Sequence, residues 1–284
     1  MPSPTIRETL AMATETLRMN GLETPRLDAE VIMAAVLNLS RPDLYIKSED
    51  AVSPERLTKY FSLVERRAAR EPVAYITGVK EFMSLPFRVN RDVLVPRPET
   101  ELLVEEALAI KPLRIIDVGT GSGAIAVSMA YYLPGSRVTA IDISAEALAV
   151  ARHNAVLHGV AGRVTFLKGN LVDPLVKSEH YGCFDLVAAN LPYIPSSEMD
   201  NLPVDVRGYE PAKALDGGPG GLEKYRELCP RAFELLKTGG AILLEIGYGQ
   251  AVQLLAFLTG VGYQNIQVIR DLAGLERLVK AYKP

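Results

Sequence analysis

Apolar residues recur at helical spacing through the first quarter of the chain. Over residues 5–19, Ile6, Leu10, Ala13 and Leu17 share one face, the period of an amphipathic helix, and Asn20-Gly21 ends it. Pro25 opens a second helix, with Leu27, Val31, Ala34, Ala35 and Leu37 expected on its buried side. Ser53-Pro54-Glu55 is a helix start with proline at the first position, and that helix runs through Leu57, Phe61, Val64 and Ala68. No strand pattern interrupts these segments, so residues 1–78 are predicted as a small helical bundle.

The pattern then changes. Phe82, Leu85, Phe87, Val89, Val93 and Leu94, with Pro86 and Asn90-Arg91-Asp92 among them, predict a hairpin, and residues 79–95 are read as a linker between two domains. Pro96-Arg97-Pro98-Glu99-Thr100 makes a stiff crossing, and Thr100 or Glu99 is expected to cap a helix over 102–109. From residue 113 short apolar runs alternate with helical periods. Strands are predicted at 113–117, 137–142, 164–168, 184–189 and 240–246, and helices at 124–133, 145–157, 222–236 and 249–258. Residues 263–270 and 275–282 are expected to pair as a closing antiparallel hairpin. Alternation of this kind implies an α/β domain over 96–284, with a mostly parallel sheet covered by helices on both faces. Residues 195–221, rich in Pro, Gly and Asp, form a long connection, and long connections in compact domains are usually functional.

Composition narrows the class. The chain has 284 residues and a net charge of -3, which argues against a protein that works on nucleic acid through a basic face. Cys183 and Cys229 are its only cysteines, too few for a disulfide framework or a metal cluster. Met1-Pro2-Ser3-Pro4 lacks the basic and apolar regions of a signal peptide, and the uncharged stretch 118–136 holds too many Gly, Ser, Thr, Tyr and Pro residues for a membrane span. A soluble, cytoplasmic protein without a metal is expected. His153, His158 and His180 do not cluster in the sequence.

Two stretches carry candidate chemistry. Asp117-Val118-Gly119-Thr120-Gly121-Ser122-Gly123 joins a predicted strand to its helix, where glycines allow a tight turn and close approach of a ligand to the backbone. Asp142 ends the next strand, at the spacing expected for a carboxylate on ribose hydroxyls. Asn170, after the third strand, is placed beside an adenine ring, with Leu171 on its face. Gly119, Gly121 and Ala124 also satisfy the looser dinucleotide pattern, so a nicotinamide enzyme competes with other nucleotide-containing cofactors. The second stretch is Asn190-Leu191-Pro192-Tyr193, directly after the strand at 184–189. In open α/β sheets ligands bind beyond the carboxyl ends of strands. The Asn190 amide oxygen and the Leu191 carbonyl, beside the flat face of Tyr193, suit a planar NH2 group such as an amide or an adenine. Asn and Pro are also ordinary turn residues. Glu245-Ile246-Gly247 ends the fifth strand near the same edge.

With both stretches placed, the chain resembles the release-factor glutamine methyltransferases. The resemblance spans nearly its whole length and includes Glu71-Pro72-Val73-Ala74-Tyr75-Ile76-Thr77-Gly78, the segment 96–101, the glycine turn, Tyr209-Glu210-Pro211, Ala214-Leu215-Asp216-Gly217-Gly218 and Glu245-Ile246-Gly247-Tyr248-Gly249-Gln250. It implies a helical N-terminal substrate-recognition domain and a class I, Rossmann-like methyltransferase domain. It implies S-adenosylmethionine as methyl donor, held by Gly119, Thr120, Gly121, Ser122, Gly123, Asp142, Asn170, Leu171 and Asn190. It also implies peptide-chain release factors as partners, methylated on the glutamine of a Gly-Gly-Gln tripeptide by a pocket of Asn190, Leu191, Pro192 and Tyr193. A monomer without direct nucleic-acid contact is expected. The family's usual Asn-Pro-Pro-Tyr is Asn190-Leu191-Pro192-Tyr193 here, and the position of Asn170 commonly carries aspartate. Nucleic-acid adenine-N6 methyltransferases use a similar motif on a flipped base, and a non-catalytic release-factor binder is a third reading. Leu191 is expected to work through its carbonyl alone, so that its side chain is immaterial.

Overall fold

The computed structural model describes residues 3–176 and 178–284; Met1 and Pro2, which open the segment read for a signal peptide, lie outside the described residues. The chain divides into two compact units, one running to Val79 and including Pro203–Tyr209, the other made of Lys80–Leu202 and Glu210–Pro284.

The first unit is helical: α1 (Ile6–Met19), α2 (Pro25–Leu37), α3 (Arg41–Ile46), α4 (Pro54–Ala68) and α5 (Val73–Thr77). α1 starts in a capping box between Thr5 and Glu8, which satisfies backbone donors that the first turn leaves open. Ile6, Leu10, Leu17, Ile32, Met33, Leu44, Tyr60 and Val64 form the core. The face expected for α2 is corrected here. Leu27 and Ala35 are exposed, whereas Asp28, Ala29, Glu30, Ile32 and Met33 are buried. Two carboxylates on that face are buried because they are paired. Arg67 Nε donates to Asp28 at 2.7 Å, and Glu30 takes Arg26 Nε, Arg41 and the Tyr45 hydroxyl at 2.6, 2.8 and 2.6 Å. Buried charges persist only with such partners.

In the second unit the hairpin comes earlier than expected, as β1 (Val79–Phe82) and β2 (Leu85–Arg88). It turns on Met83 and Ser84, both left-handed (φ 51° and 57°), the geometry a tight two-residue hairpin needs. Residues 90–97 form no strand. After α6 (Glu101–Ile110) come β3 (Arg114–Val118), α7 (Ala124–Tyr132), β4 (Arg137–Asp142), α8 (Ala145–Leu157), β5 (Val164–Lys168), β6 (Phe184–Ala189), α9 (Glu223–Leu235), β7 (Leu236–Glu245), α10 (Ala251–Val261), β8 (Gln264–Arg270) and β9 (Glu276–Tyr282). These strands form one seven-stranded sheet in the order β5-β4-β3-β6-β7-β9-β8. The first five pair in parallel, and β9 pairs antiparallel with β7 and β8. The α/β fold with an antiparallel closing hairpin is therefore as expected. Buried side chains lie on both faces of the sheet: Ile116, Val187 and Leu244 on one, Ile115, Leu186 and Leu243 on the other.

Register places the functional stretches. Val118 is level with Ile141 on one side and Ala189 on the other, and Ala189 is level with Leu244. One residue further along, Gly119 and Asn190 leave the sheet at the same edge, level with Asp142 and Glu245, the last residues of β4 and β7. Chain order reverses between β3 and β6, the switch point where open α/β sheets bind ligands.

Candidate active site

A cleft of about 830 Å³ opens over this edge, lined by Gly119, Thr120, Gly121, Ser122, Asp142, Asn170, Leu171, Asn190, Leu191 and Pro192, among others. Its size suits a cofactor-sized ligand. Tyr193 and Gly123 do not line it. Gly123 instead ends the turn at φ 81°, and a Cβ there would meet Ala151 Cβ at 3.0 Å, so it seats α7 against α8.

The turn is held from its flanks. Gly119 N and Thr120 N both donate to the Ile141 carbonyl, at 2.9 and 3.0 Å. Gly119 has φ 75°, and a Cβ there would come within 3.0 Å of Leu191 Cδ2, so the two candidate stretches touch at a position only glycine fits. Beneath the turn, Asp117 Oδ2 accepts from the Thr120 hydroxyl at 2.6 Å and from Ala126 N at 3.2 Å. Burial pushes the Asp117 carboxyl up to about 7 despite those donors. Asn154, on α8, ties the turn to the hairpin: its amide bonds both Arg88 N and Arg88 O and also reaches the Ser122 carbonyl at 2.8 Å.

Asp142, the expected ribose carboxylate, lines the cleft. Its oxygens accept Gly121 N at 2.8 Å and Ser144 N at 2.9 Å, and each keeps lone-pair capacity for a hydroxyl. Burial raises its pKa, against the lowering by those backbone donors. Asn170 Nδ2 donates to Glu227 at 3.0 Å, which turns its carbonyl oxygen away from that partner as an acceptor. Leu171 is left-handed (φ 47°) and buried in the cleft wall.

The Asn190-Leu191-Pro192-Tyr193 segment is braced on every side by the other motifs. Asn190 Nδ2 donates to the Thr100 hydroxyl at 3.0 Å. That fixes which end of the amide is free, and among the described residues nothing donates to Asn190 Oδ1 or to the Leu191 carbonyl. Gln250 Nε2 donates to the Tyr193 carbonyl at 2.8 Å, while its own oxygen accepts Gly247 N at 2.9 Å. A Cβ on Gly217 would meet the Pro192 carbonyl at 2.7 Å, and one on Gly221 the Tyr193 carbonyl at 2.4 Å, so these glycines allow backbone to lie on backbone. The connection 195–221 is closed at its base, Ile194 N to Leu215 O and Gly217 N to Ile194 O at 3.1 and 2.8 Å. It contains short helical turns rather than irregular chain alone.

Some roles differ from expectation. Thr100 makes no side-chain cap on α6; its hydroxyl serves Asn190 instead. Leu191 is not a bare carbonyl: its side chain is buried, and its N–H donates to the Tyr225 hydroxyl at 3.2 Å. Arg97 pairs with Glu210 at 2.6 Å. Tyr225 carried no sequence signal, because an apolar-face tyrosine on a helix reads as ordinary core. Among the described residues no cluster of His, Cys, Asp or Glu could hold a metal, and no helix is long and apolar enough to cross a membrane.

Family models match residues 8–78 as a PrmC N-terminal domain and residues 111–255 as a methyltransferase domain. A protein named release factor glutamine methyltransferase from Moorella thermoacetica is 46% identical over 98% of this chain and 99% of its own length. Another of that name from Geobacter sulfurreducens is 41% identical over 97% and 95%. A methyltransferase structure from Pyrococcus furiosus aligns with a TM-score of 0.55 at 21% identity, covering 77% of this chain and 98% of that one, which speaks for the fold alone.

Replacing Leu191 by proline removes the N–H that Tyr225 accepts and a buried side chain together. Leu191→Pro should lose on the order of 1–3 kcal/mol of stability, read as a lowered urea midpoint at unchanged slope. An unchanged midpoint would mean that the Leu191 N–H contributes nothing.

Proposed function

The chain belongs to the release factor glutamine methyltransferase family, and on that premise we propose that it methylates the side-chain amide nitrogen of the glutamine in the Gly-Gly-Gln motif of peptide-chain release factors. One observation supports this most directly: Asn190 Oδ1 and the Leu191 carbonyl are two unused acceptors at the edge of the cleft. A primary amide offers two N–H donors. The relatives are named for glutamine, which does not favour the adenine-N6 alternative.

The residues present fit S-adenosylmethionine. Gly119 and Gly121 bring bare backbone to the cleft wall, Asp142 keeps acceptor capacity for ribose hydroxyls, and the Asn170 oxygen and Leu171 side chain suit the edge and face of an adenine. Gly119, Thr120, Gly121, Ser122 and Gly123 form the turn that would hold the cofactor, with Asn190 at its reactive end. When bound, the cofactor supplies an electrophilic methyl group. An amide nitrogen is a poor nucleophile, so the work of the chain's own residues is positioning, which in well-oriented reactions is worth roughly 7–11 kcal/mol. Asn190 Oδ1 and the Leu191 carbonyl would take the two N–H bonds, with Tyr193 against the amide plane and Pro192 limiting the conformations of Leu191. Acceptors so placed also favour positive charge developing on nitrogen. Burial pushes the Tyr193 phenol up to about 12, so it stays neutral.

We further propose that the first unit selects the protein substrate and that the protein is a cytoplasmic monomer. Among its described residues the first unit carries none of the candidate cofactor or pocket residues. Hydrogen exchange on the full chain should show protection of its helices when a release factor binds. Protection confined to the second unit would refute this role.

Methyl transfer from labelled S-adenosylmethionine, compared between release factors and DNA, tests the activity. Asn190→Ala should slow single-turnover transfer by an amount equivalent to about 1–3 kcal/mol in barrier or more, because a substrate N–H loses its acceptor in a dry site. A rate near wild type would remove Asn190 from the pocket. Asp142→Ala should weaken cofactor binding in calorimetry while the chain stays folded; unchanged affinity would move the ribose contact elsewhere.

A further inference from the structure

Tyr225, on α9, is fully buried and does not line the cleft. The amide-transfer reading as first stated gives its hydroxyl no task. The ladder between β6 and β7 ends at Ala189 and Leu244. Just past that point the Tyr225 hydroxyl bridges the two chains. Its oxygen accepts the Leu191 N–H at 3.2 Å, and its proton goes to the Glu245 main-chain carbonyl. A phenol has one proton to give, so with that proton on Glu245 the oxygen faces Leu191 only as an acceptor. Burial holds the phenol well above its ordinary range, so it keeps the proton.

The residue that carries this N–H gives the bond its meaning. Position 191 is leucine here, where the family's usual pattern has proline. Proline has no N–H to satisfy and locks its own φ at about −65°. It also presses the preceding residue toward extended backbone. Leucine lifts both restraints from the Asn190–Leu191 peptide. It also adds a buried donor, which is costly when left unpaired. Pro192 restricts Leu191 from the far side, but no proline follows Asn190.

We propose that Tyr225 is a positioning residue for the amide pocket: by accepting the Leu191 N–H it holds the Asn190–Leu191 peptide in place, the restraint that a proline at 191 supplies by itself. This rests on the amide-transfer reading above and deepens it. The two acceptors offered to the substrate flank that peptide. Asn190 Oδ1 hangs from the residue before it and the Leu191 carbonyl belongs to the residue after it, so a rotation of the peptide plane moves both. Thr100 holds the tip of the Asn190 side chain at 3.0 Å, and Tyr225 holds its root. The other end of the bridge is main chain of β7, so the sheet itself sets the position of the peptide.

The test is a double-mutant cycle on the full chain. It measures kcat and KM for release-factor methylation in wild type, Tyr225→Phe, Leu191→Pro and the double variant. Folding is checked by thermal melting and S-adenosylmethionine affinity by calorimetry. Tyr225→Phe keeps the ring and removes the hydroxyl. With leucine at 191 it should lower kcat by on the order of 10-fold, as for a slightly misplaced reactant, with KM and cofactor affinity retained. With proline at 191 no N–H remains to be held, so the same change should alter kcat by less than about 2-fold. An equal loss in both backgrounds overturns the proposal, as does a Tyr225→Phe that melts earlier yet turns over like wild type. The unaltered chain gives a second reading that no folding defect obscures. Its Leu191 amide should exchange hydrogen far more slowly than that of exposed Ser197, and equal rates overturn the proposal. These failures leave the amide-transfer reading standing; a wild type that methylates no release factor overturns both.

Discussion

The level carboxyl ends of four parallel strands are the constraint on which the rest of this molecule depends. Register fixes Gly119 and Asn190 one residue beyond paired backbone, level with Asp142 and Glu245, the last paired residues of β4 and β7. A strand slipped by one residue would exchange its buried and opposite faces as well as move its functional residue. Both faces of β6 are buried, so no alternative register is cheap. The pocket inherits its precision from that packing rather than from its own few hydrogen bonds. The contact between Gly119 and Leu191 shows how little slack remains: a single added methyl group would have to displace a leucine already in the core.

Much of this was legible in the sequence, for physical reasons that also mark the limit. Short apolar runs ending in Gly, Asp or Asn announced the strands of the second unit, because a strand buried on both faces has no polar positions to interrupt it. The glycine turn and Asp142 were readable because their job is local. The face of α2 was misread because hydrophobic patterning cannot see an acid buried by an arginine on another helix, as Asp28 is by Arg67. Thr100 was read as a cap, since threonine before a helix usually is one. Its actual partner, Asn190, lies 90 residues away. Leu191 was reduced to its carbonyl because the hydroxyl that takes its N–H belongs to Tyr225, 34 residues on, and neither residue signals the other. Propensity and period report on neighbours in the chain; the pocket is assembled from residues that are not.

The pocket's polar groups are also a stability cost with a definite sign. Asp117 and Glu245 both have carboxyls raised by burial to about 7 from ordinary values of 3.8 and 4.5. The folded chain therefore holds these protons more tightly than the unfolded chain does. The stability these two groups contribute is fully present below the ordinary carboxylate range and is lost as pH rises from there through about 7. At neutral pH the fold keeps two groups in a setting that opposes their ionisation, and neither has an arginine or lysine among its direct hydrogen-bond partners. For Asp117 the return is local, since Thr120 Oγ1 and Ala126 N need an acceptor to shape the turn. Glu245 has no comparable local duty: Oε2 meets no donor and Oε1 has only a distant phenol. An apolar or amide side chain of the same size would fill β7 at lower cost.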